Sequence, residues 1–208
     1  MAGRTVDNSH LFLHDEALFQ EFGFVCGTDE AGRGPLAGPV FAAAVIFAPG
    51  TRIEGLNDSK KLTEKKREDL FDVIKASALA YAIEPAEVSE IEEKNILNAS
   101  LSAMRRAVER LSENPGIVLI DGSVCRGFDG FNARSLVKGD AKSAAVAAAS
   151  VLAKVSRDRY MVELDRICPG YGFAAHKGYP TAAHYEAIKR LGISEYHRPT
   201  FLRNLDTK

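Results

Sequence analysis

Cysteine is scarce in this chain: Cys26, Cys125 and Cys168 are the only three among 208 residues. An odd number in no metal-like spacing argues against a disulfide framework or a cysteine-rich zinc module, and reads as reduced thiols in a cytoplasmic protein. Long apolar runs are also missing. The longest, over 36–49, is broken by Gly38 and Pro39 and falls short of the roughly 18 residues a membrane span needs, so it reads as a core strand. The opening MAGRTVDNSH has no apolar stretch of signal-peptide type. No GxxxxGK[ST] loop occurs, which argues against binding of nucleoside triphosphates. Repeats, low-complexity linkers and Pro/Ser-rich joints are absent, so one domain is expected over 1–208.

An excess of one charge is missing too, since 27 Lys and Arg face 28 Asp and Glu. Their distribution is uneven. Residues 1–125 hold 13 basic against 20 acidic side chains, and residues 126–208 hold 14 against 8. Such asymmetry is a hint of a polyanionic partner; that folding mixes both halves on every face is an equally open reading. With 46% apolar and 26% charged residues, the composition is that of a globular protein able to bury a sizeable core.

Apolar patterning predicts strands over 22–28, 40–47, 79–83 and 117–120, with a short last one over 135–137. Helices are expected from a Thr63 cap to about Ser77, over 90–111, from Asp140 to about Ile167, and around 181–191. The Ala- and Ser-rich first half of the helix after Asp140 would let its backbone sit close against a sheet. Residues 1–20 form a lead-in with a short helix, and 170–208 a C-terminal helical segment. Together these predict an α/β fold with a central mixed sheet flanked by helices.

Two of the predicted strands end in acids, Asp29-Glu30 and Asp121, and ligands of α/β sheets gather at strand carboxyl ends. Asp140 stands at a predicted helix start, where its plain reading is a cap. Taken singly, the other acids read as turn residues. Taken together, Asp29, Glu30, Asp121 and Asp140 are an all-oxygen, high-charge set without His or Cys nearby. Such a set suits Mg²⁺ or Mn²⁺ rather than zinc, and nucleases hold two such ions about 3.5–4 Å apart. Between the first two predicted strands lies DEAGRGPLAGPV, a glycine-rich turn fit for close backbone approach to a ligand. Its spacing and its prolines rule out a dinucleotide fingerprint.

DEAGRGPLAGPV resembles the signature of type 2 ribonucleases H, the ribonuclease HII family. NDSKKL at 57–62, IDG at 120–122, KGDAKS at 138–143, AAASVLAKVSRDRYM at 147–161, YGFAAHKGYPTAAH at 171–184 and HRPTF at 197–201 follow in the family's order. The resemblance spans 22–201. It implies a ribonuclease H-like fold and a monomer that cuts the RNA strand of RNA/DNA hybrids and duplex DNA carrying single ribonucleotides. Cutting would fall on the 5′ side of the last ribonucleotide, leave 3′-hydroxyl and 5′-phosphate ends and use two Mn²⁺ or Mg²⁺ ions. By the same resemblance, Asp29, Glu30, Asp121 and Asp140 match the catalytic carboxylates. Gly32, Arg33 and Gly34 match the motif whose backbone approaches the ribose 2′-hydroxyl. Tyr179 matches the residue that senses the ribo-to-deoxyribo junction, and Asn57 and Lys60 match a phosphate contact.

Lys61, Lys65, Lys66 and Arg67 read first as a solvated helix face, with phosphate contact the alternative; Lys177 and Arg198 are further phosphate candidates. His184 and His197 read as surface or packing residues. Cys125 has no base partner and is not expected to act as a nucleophile. The chain closes soon after HRPTF, without the helical extension some members carry, which predicts fewer duplex contacts. It also lacks the N-terminal extension of the type 3 enzymes. Three rivals stand beside this reading: a hybrid nuclease blind to single ribonucleotides, a non-catalytic nucleic-acid binding module and a Mg²⁺-dependent phosphatase.

Overall fold

A β-sheet of five strands organises the protein, whose computed structural model describes residues 7–203. The strands are β1 (Val25–Ala31), β2 (Val40–Phe47), β3 (Ala78–Ala86), β4 (Ile117–Asp121) and β5 (Ala133–Leu136), in the spatial order β3-β2-β1-β4-β5. The β1–β2 and β2–β3 pairs are antiparallel, whereas β1–β4 and β4–β5 are parallel. The sheet is therefore mixed, as expected.

Helices cover both faces. On one lie α1 (Ser9–Phe22), α2 (Glu64–Ser77) and the long α5 (Ala144–Ile167); on the other lie α3 (Val88–Lys94) and α4 (Ile96–Glu109). Alternation along β1 splits its side chains between these layers: Cys26 joins the cluster under α4, and Gly27 lies against α5. A Cβ on Gly27 would stand 2.2 Å from the Val146 backbone nitrogen. Glycine on the strand and alanines on the helix thus bring β1 and α5 to backbone contact. Beyond α5 come α6 (Phe173–His176) and α7 (Ala182–Leu191), which enclose a smaller core around Met161, Phe173 and Ile188. None of the described helices is long and apolar enough to cross a membrane.

Several boundaries differ from expectation. The first strand runs three residues further, because Asp29, Glu30 and Ala31 continue the antiparallel ladder opposite Ala43, Ala42 and Phe41. Asp121 likewise belongs to β4, opposite Leu136 of β5, and the third strand extends to 78–86. The helix expected over 90–111 is two helices. Asn95 adopts φ +66, which stops α3, and its Oδ1 accepts from the Leu97 and Asn98 amides to start α4. Asp140 does not open α5. Ser143 caps that helix by accepting from the Val146 amide, and Asp140 sits in a separate 3-10 turn, Gly139–Ala141. Thr63 caps α2 as expected. In the lead-in, 1–6 lie outside the described residues and the helix occupies Ser9–Phe22. In the C-terminal segment, 204–208 also lie outside them.

Candidate active site

Parallel pairing of β1 with β4 aligns Thr28 with Ile120. One step further along each strand come Asp29 and Asp121, where the β1–β4 pairing ends and the two strands part. Glu30 follows on β1, and the Gly139–Ala141 turn brings Asp140 to the same place. The four acids expected to act together are neighbours.

Their environment is unfavourable for negative charge. Asp29 and Asp140 are 4% and 5% exposed. Burial, reinforced by the charges on Glu30 and Asp121, holds the Asp29 carboxyl well above the usual carboxylate range. Burial also raises Glu30, against the pull of Arg33, which donates to its Oε1 at 3.2 Å. Asp140 is raised by burial and by the charges of Asp58 and Asp121. The Lys60 ammonium lies 3.9 Å from Asp140 Oδ2. Partial burial works against its charge, but the surrounding Asp140, Asp29, Asp58 and Asp121 outweigh it and raise its pKa.

Among the described residues, no three His, Cys, Asp or Glu side chains close around one point as ligands do. Like charges without a counter-ion repel, and some of the oxygens are already engaged: Asp29 Oδ1 accepts from the Glu30 amide and Asp121 Oδ1 from the Gly139 amide, both at 2.7 Å. The donor set nonetheless fits a hard cation in kind. It is all oxygen and largely desolvated, and it is in excess of the basic side chains that face it.

The cleft above Asp29 and Glu30 has a volume of about 280 Å³, near the lower end of the range of ligand sites. Its walls carry Gly32, Arg33, Gly34, Lys60 and Tyr179, all expected, together with Ser59, Arg67, Ser150 and Lys154. The Ser150 side chain offsets part of the rise in the Asp29 pKa, and its hydroxyl meets that of Ser59 at 2.8 Å. Asn57 does not line this cleft; its Oδ1 accepts from the Asp58 amide and shapes the turn that presents Lys60. Arg67 is no solvated helix residue, since its guanidinium donates to the Ser59 and Leu62 carbonyls.

Two buried arginines shape the glycine turn from behind. Arg198, expected to meet phosphate, is fully buried. It donates instead to the carbonyls of Gly32, Arg33, Pro35 and Gly38. Arg157 donates to those of Pro39 and Ala37. Burial lowers their pKa values to about 9 and about 10, so both stay charged at neutral pH. With six of the carbonyls of 32–39 held by these two guanidinium groups, the Arg33 and Gly34 amides have no hydrogen-bond acceptor among the described residues, and both residues are exposed to the cleft. A turn whose carbonyls face cations and whose amides face solvent is a receptor for an anion or a hydroxyl oxygen.

Tyr179 stands across from that turn, 40% exposed, and a Cβ on Gly34 would lie 3.8 Å from its ring. Its carbonyl accepts from His184 Nδ1 at 3.0 Å. Of the two readings of His184 and His197, surface or packing, the second holds. Both are buried, and their Nε2 atoms meet at 3.2 Å. Ser194 donates to His197 Nδ1, so His197 is the donor to His184, and His184 in turn donates to Tyr179. Burial lowers the pKa of His184, and that of His197 to about 4.

Comparison with known proteins agrees with this architecture. The family model described as Ribonuclease HII matches residues 26–204. A ribonuclease HII of Clostridioides difficile is 52% identical over 93% of this chain and 75% of its own length. One from Caldicellulosiruptor bescii is 49% identical over 96% of each. The crystal structure of ribonuclease H2 from Pyrococcus horikoshii matches with a TM-score of 0.72 at 25% identity, over 88% of this chain and 97% of that one. With a family model over most of its length, relatives about half identical to it and a shared fold, the chain belongs to the ribonuclease HII family of metal-dependent endoribonucleases.

Proposed function

We propose that this cleft cuts duplex DNA on the 5′ side of an embedded ribonucleotide, as well as the RNA strand of RNA/DNA hybrids. The products are a 3′-hydroxyl and a 5′-phosphate. One observation carries the reading: the free amides of the glycine turn, the Tyr179 ring and the Asp29 and Glu30 carboxylates share a single cleft. The 2′-hydroxyl is what distinguishes a ribonucleotide from a deoxyribonucleotide. The Arg33 and Gly34 amides meet its oxygen without regard to the base attached. Tyr179 places its ring against the following sugar, where a missing 2′-hydroxyl leaves room.

Below them, Asp29, Glu30, Asp121 and Asp140 hold the ions. Two Mg²⁺ or Mn²⁺ ions, when bound, supply an activated water and neutralise charge on the leaving oxygen. Lys60 steadies a backbone phosphate and balances Asp140, and Ser150 orients Asp29. Asn57 acts indirectly, by holding the turn that carries Lys60. The chain works as one catalytic unit, a monomer in the cytoplasm.

The test is cleavage of a labelled DNA duplex containing one ribonucleotide, with Mg²⁺, Mn²⁺ and EDTA in parallel. A metal-dependent cut on the 5′ side of the ribonucleotide is expected. Cleavage of long hybrids alone would support the metal site and refute the roles given to the turn and Tyr179.

A further inference from the structure

Arg157, on α5, is fully buried, and its fork joins two segments far apart in sequence. Nε and Nη2 donate to Pro39 and Ala37, at 3.0 and 3.1 Å, while Nη1 donates to the Lys177 carbonyl at 3.0 Å. The first two bonds hold the downstream limb of the glycine turn, and the third holds the loop that ends in Tyr179. Lys177 adopts φ +52, a left-handed conformation that favours glycine, so the loop is held in a shape the backbone would not choose alone. A Cβ on Gly32 would lie 2.1 Å from Arg157 Nε, so the turn rests directly on the guanidinium. The Tyr179 ring lies 5.8 Å from Arg157 Cζ. A backbone bond from the Leu36 amide to the Gly178 carbonyl closes the same seam at 2.8 Å.

From this geometry we infer that Arg157 is a positioning residue that sets the distance between the glycine turn and Tyr179. It thereby sets which phosphodiester is cut relative to the ribo-to-deoxyribo junction. The inference rests on the reading of turn and tyrosine given above. On that reading the turn grips one sugar and Tyr179 tests the next, so the span between them acts as a one-nucleotide gauge. A planar five-donor fork can fix two segments at once; a lysine ammonium of equal charge is a point donor and cannot.

The experiment uses a duplex in which one strand has several ribonucleotides followed by DNA, and it measures cutting at the junction relative to cutting further upstream. A smaller amount of folded enzyme scales all cuts alike and leaves this ratio unchanged. Arg157→Lys should lower the ratio by about tenfold or more, since displacements near 1 Å are enough to disturb reacting geometry. Gly178→Ala gives a second approach with the arginine intact, because the added Cβ would lie 2.6 Å from the Ala37 carbonyl oxygen and push the loop off the turn. It should shift the ratio in the same direction. Tyr179→Ala is the reference.

If Tyr179→Ala shifts the ratio and folded Arg157→Lys does not, the gauge is refuted and the reading of Tyr179 survives. If Tyr179→Ala leaves the ratio unchanged, the reading falls and the gauge with it. Should Arg157→Lys not fold, a shifted ratio in Gly178→Ala supports the gauge and an unchanged one overturns it. If neither variant folds, Arg157 holds the fold rather than the register, and the assignment is wrong.

Discussion

Two regions of this protein handle buried charge in opposite ways. At the ends of β1 and β4, carboxylates of one sign stand side by side, and burial together with the neighbouring acids raises the proton affinity of Asp29, Glu30 and Asp140. Behind the glycine turn, buried guanidinium groups meet a backbone carbonyl at almost every donor, and buried histidines pass hydrogen bonds in one direction toward Tyr179. The first region is frustrated until a cation arrives. The second is satisfied as it stands. Strain is concentrated where a ligand must bind, and satisfaction where the ligand must be measured, which is the division expected of a preorganised site.

The sharpest way to break this contrast is to neutralise one of the frustrated charges. Asp29→Asn should reduce turnover by roughly 10²–10³-fold or more while duplex affinity stays within a few-fold, as seen by cleavage and gel shift. Loss of affinity as large as loss of rate would remove Asp29 from the chemistry. Because the folded pKa of Asp29 is raised, its metal-free stability is greatest at low pH and is lost as pH rises through that value. Asparagine mimics the protonated form, so the metal-free variant should melt higher than its parent at pH 7, by about 2–4 °C per kcal/mol relieved. A lower melting temperature would show that the cleft is not frustrated.

In the satisfied region the effect should appear as stability. Arg198→Ala leaves four inward carbonyls without their donor and should cost on the order of 3–5 kcal/mol in urea unfolding. Acid separates the regions next. The unfolded chain protonates His197 below about pH 6.5, whereas the folded chain resists until about pH 4. Stability from this group is therefore full above pH 6.5 and declines as pH falls toward 4, by up to about 3 kcal/mol. His197→Gln should flatten that decline; an unchanged acid limb in its urea curves would show that another group governs it. The smallest expected effect is that of Tyr179→Ala. On a strand with several ribonucleotides it should lower junction preference by about tenfold, which is about 1.4 kcal/mol. Its melting temperature should stay within about 2 °C of the parent's, because the ring is 40% exposed.

The frustrated region was the legible one. Acids at strand ends and a run of glycines are local signals, and they pointed to Asp29, Glu30, Asp121 and the 32–34 turn before any fold was known. The satisfied region was not. Arg157 and Arg198 are partnered by carbonyls more than a hundred residues away, and a carbonyl leaves no mark in a sequence. An arginine near a family motif reads as a phosphate ligand for that reason. His184 and His197 pair across the gap between α7 and the following loop, which spacing alone does not reveal. The break at Asn95 escaped because apolar periodicity continues through it. The start of α5 falls a few residues after Asp140, since both Asp140 and Ser143 are acceptable helix caps and only tertiary contacts choose between them.

The contact at Gly27 also has a thermal meaning. With the Val146 nitrogen only 2.2 Å from where a methyl would begin, strand and helix have no soft layer between them to expand on warming. Asp29 travels with the strand, and Ser150 and Arg157 travel with the helix. The spacing of Asp29 from Ser150 should therefore hold on warming until the sheet itself gives way.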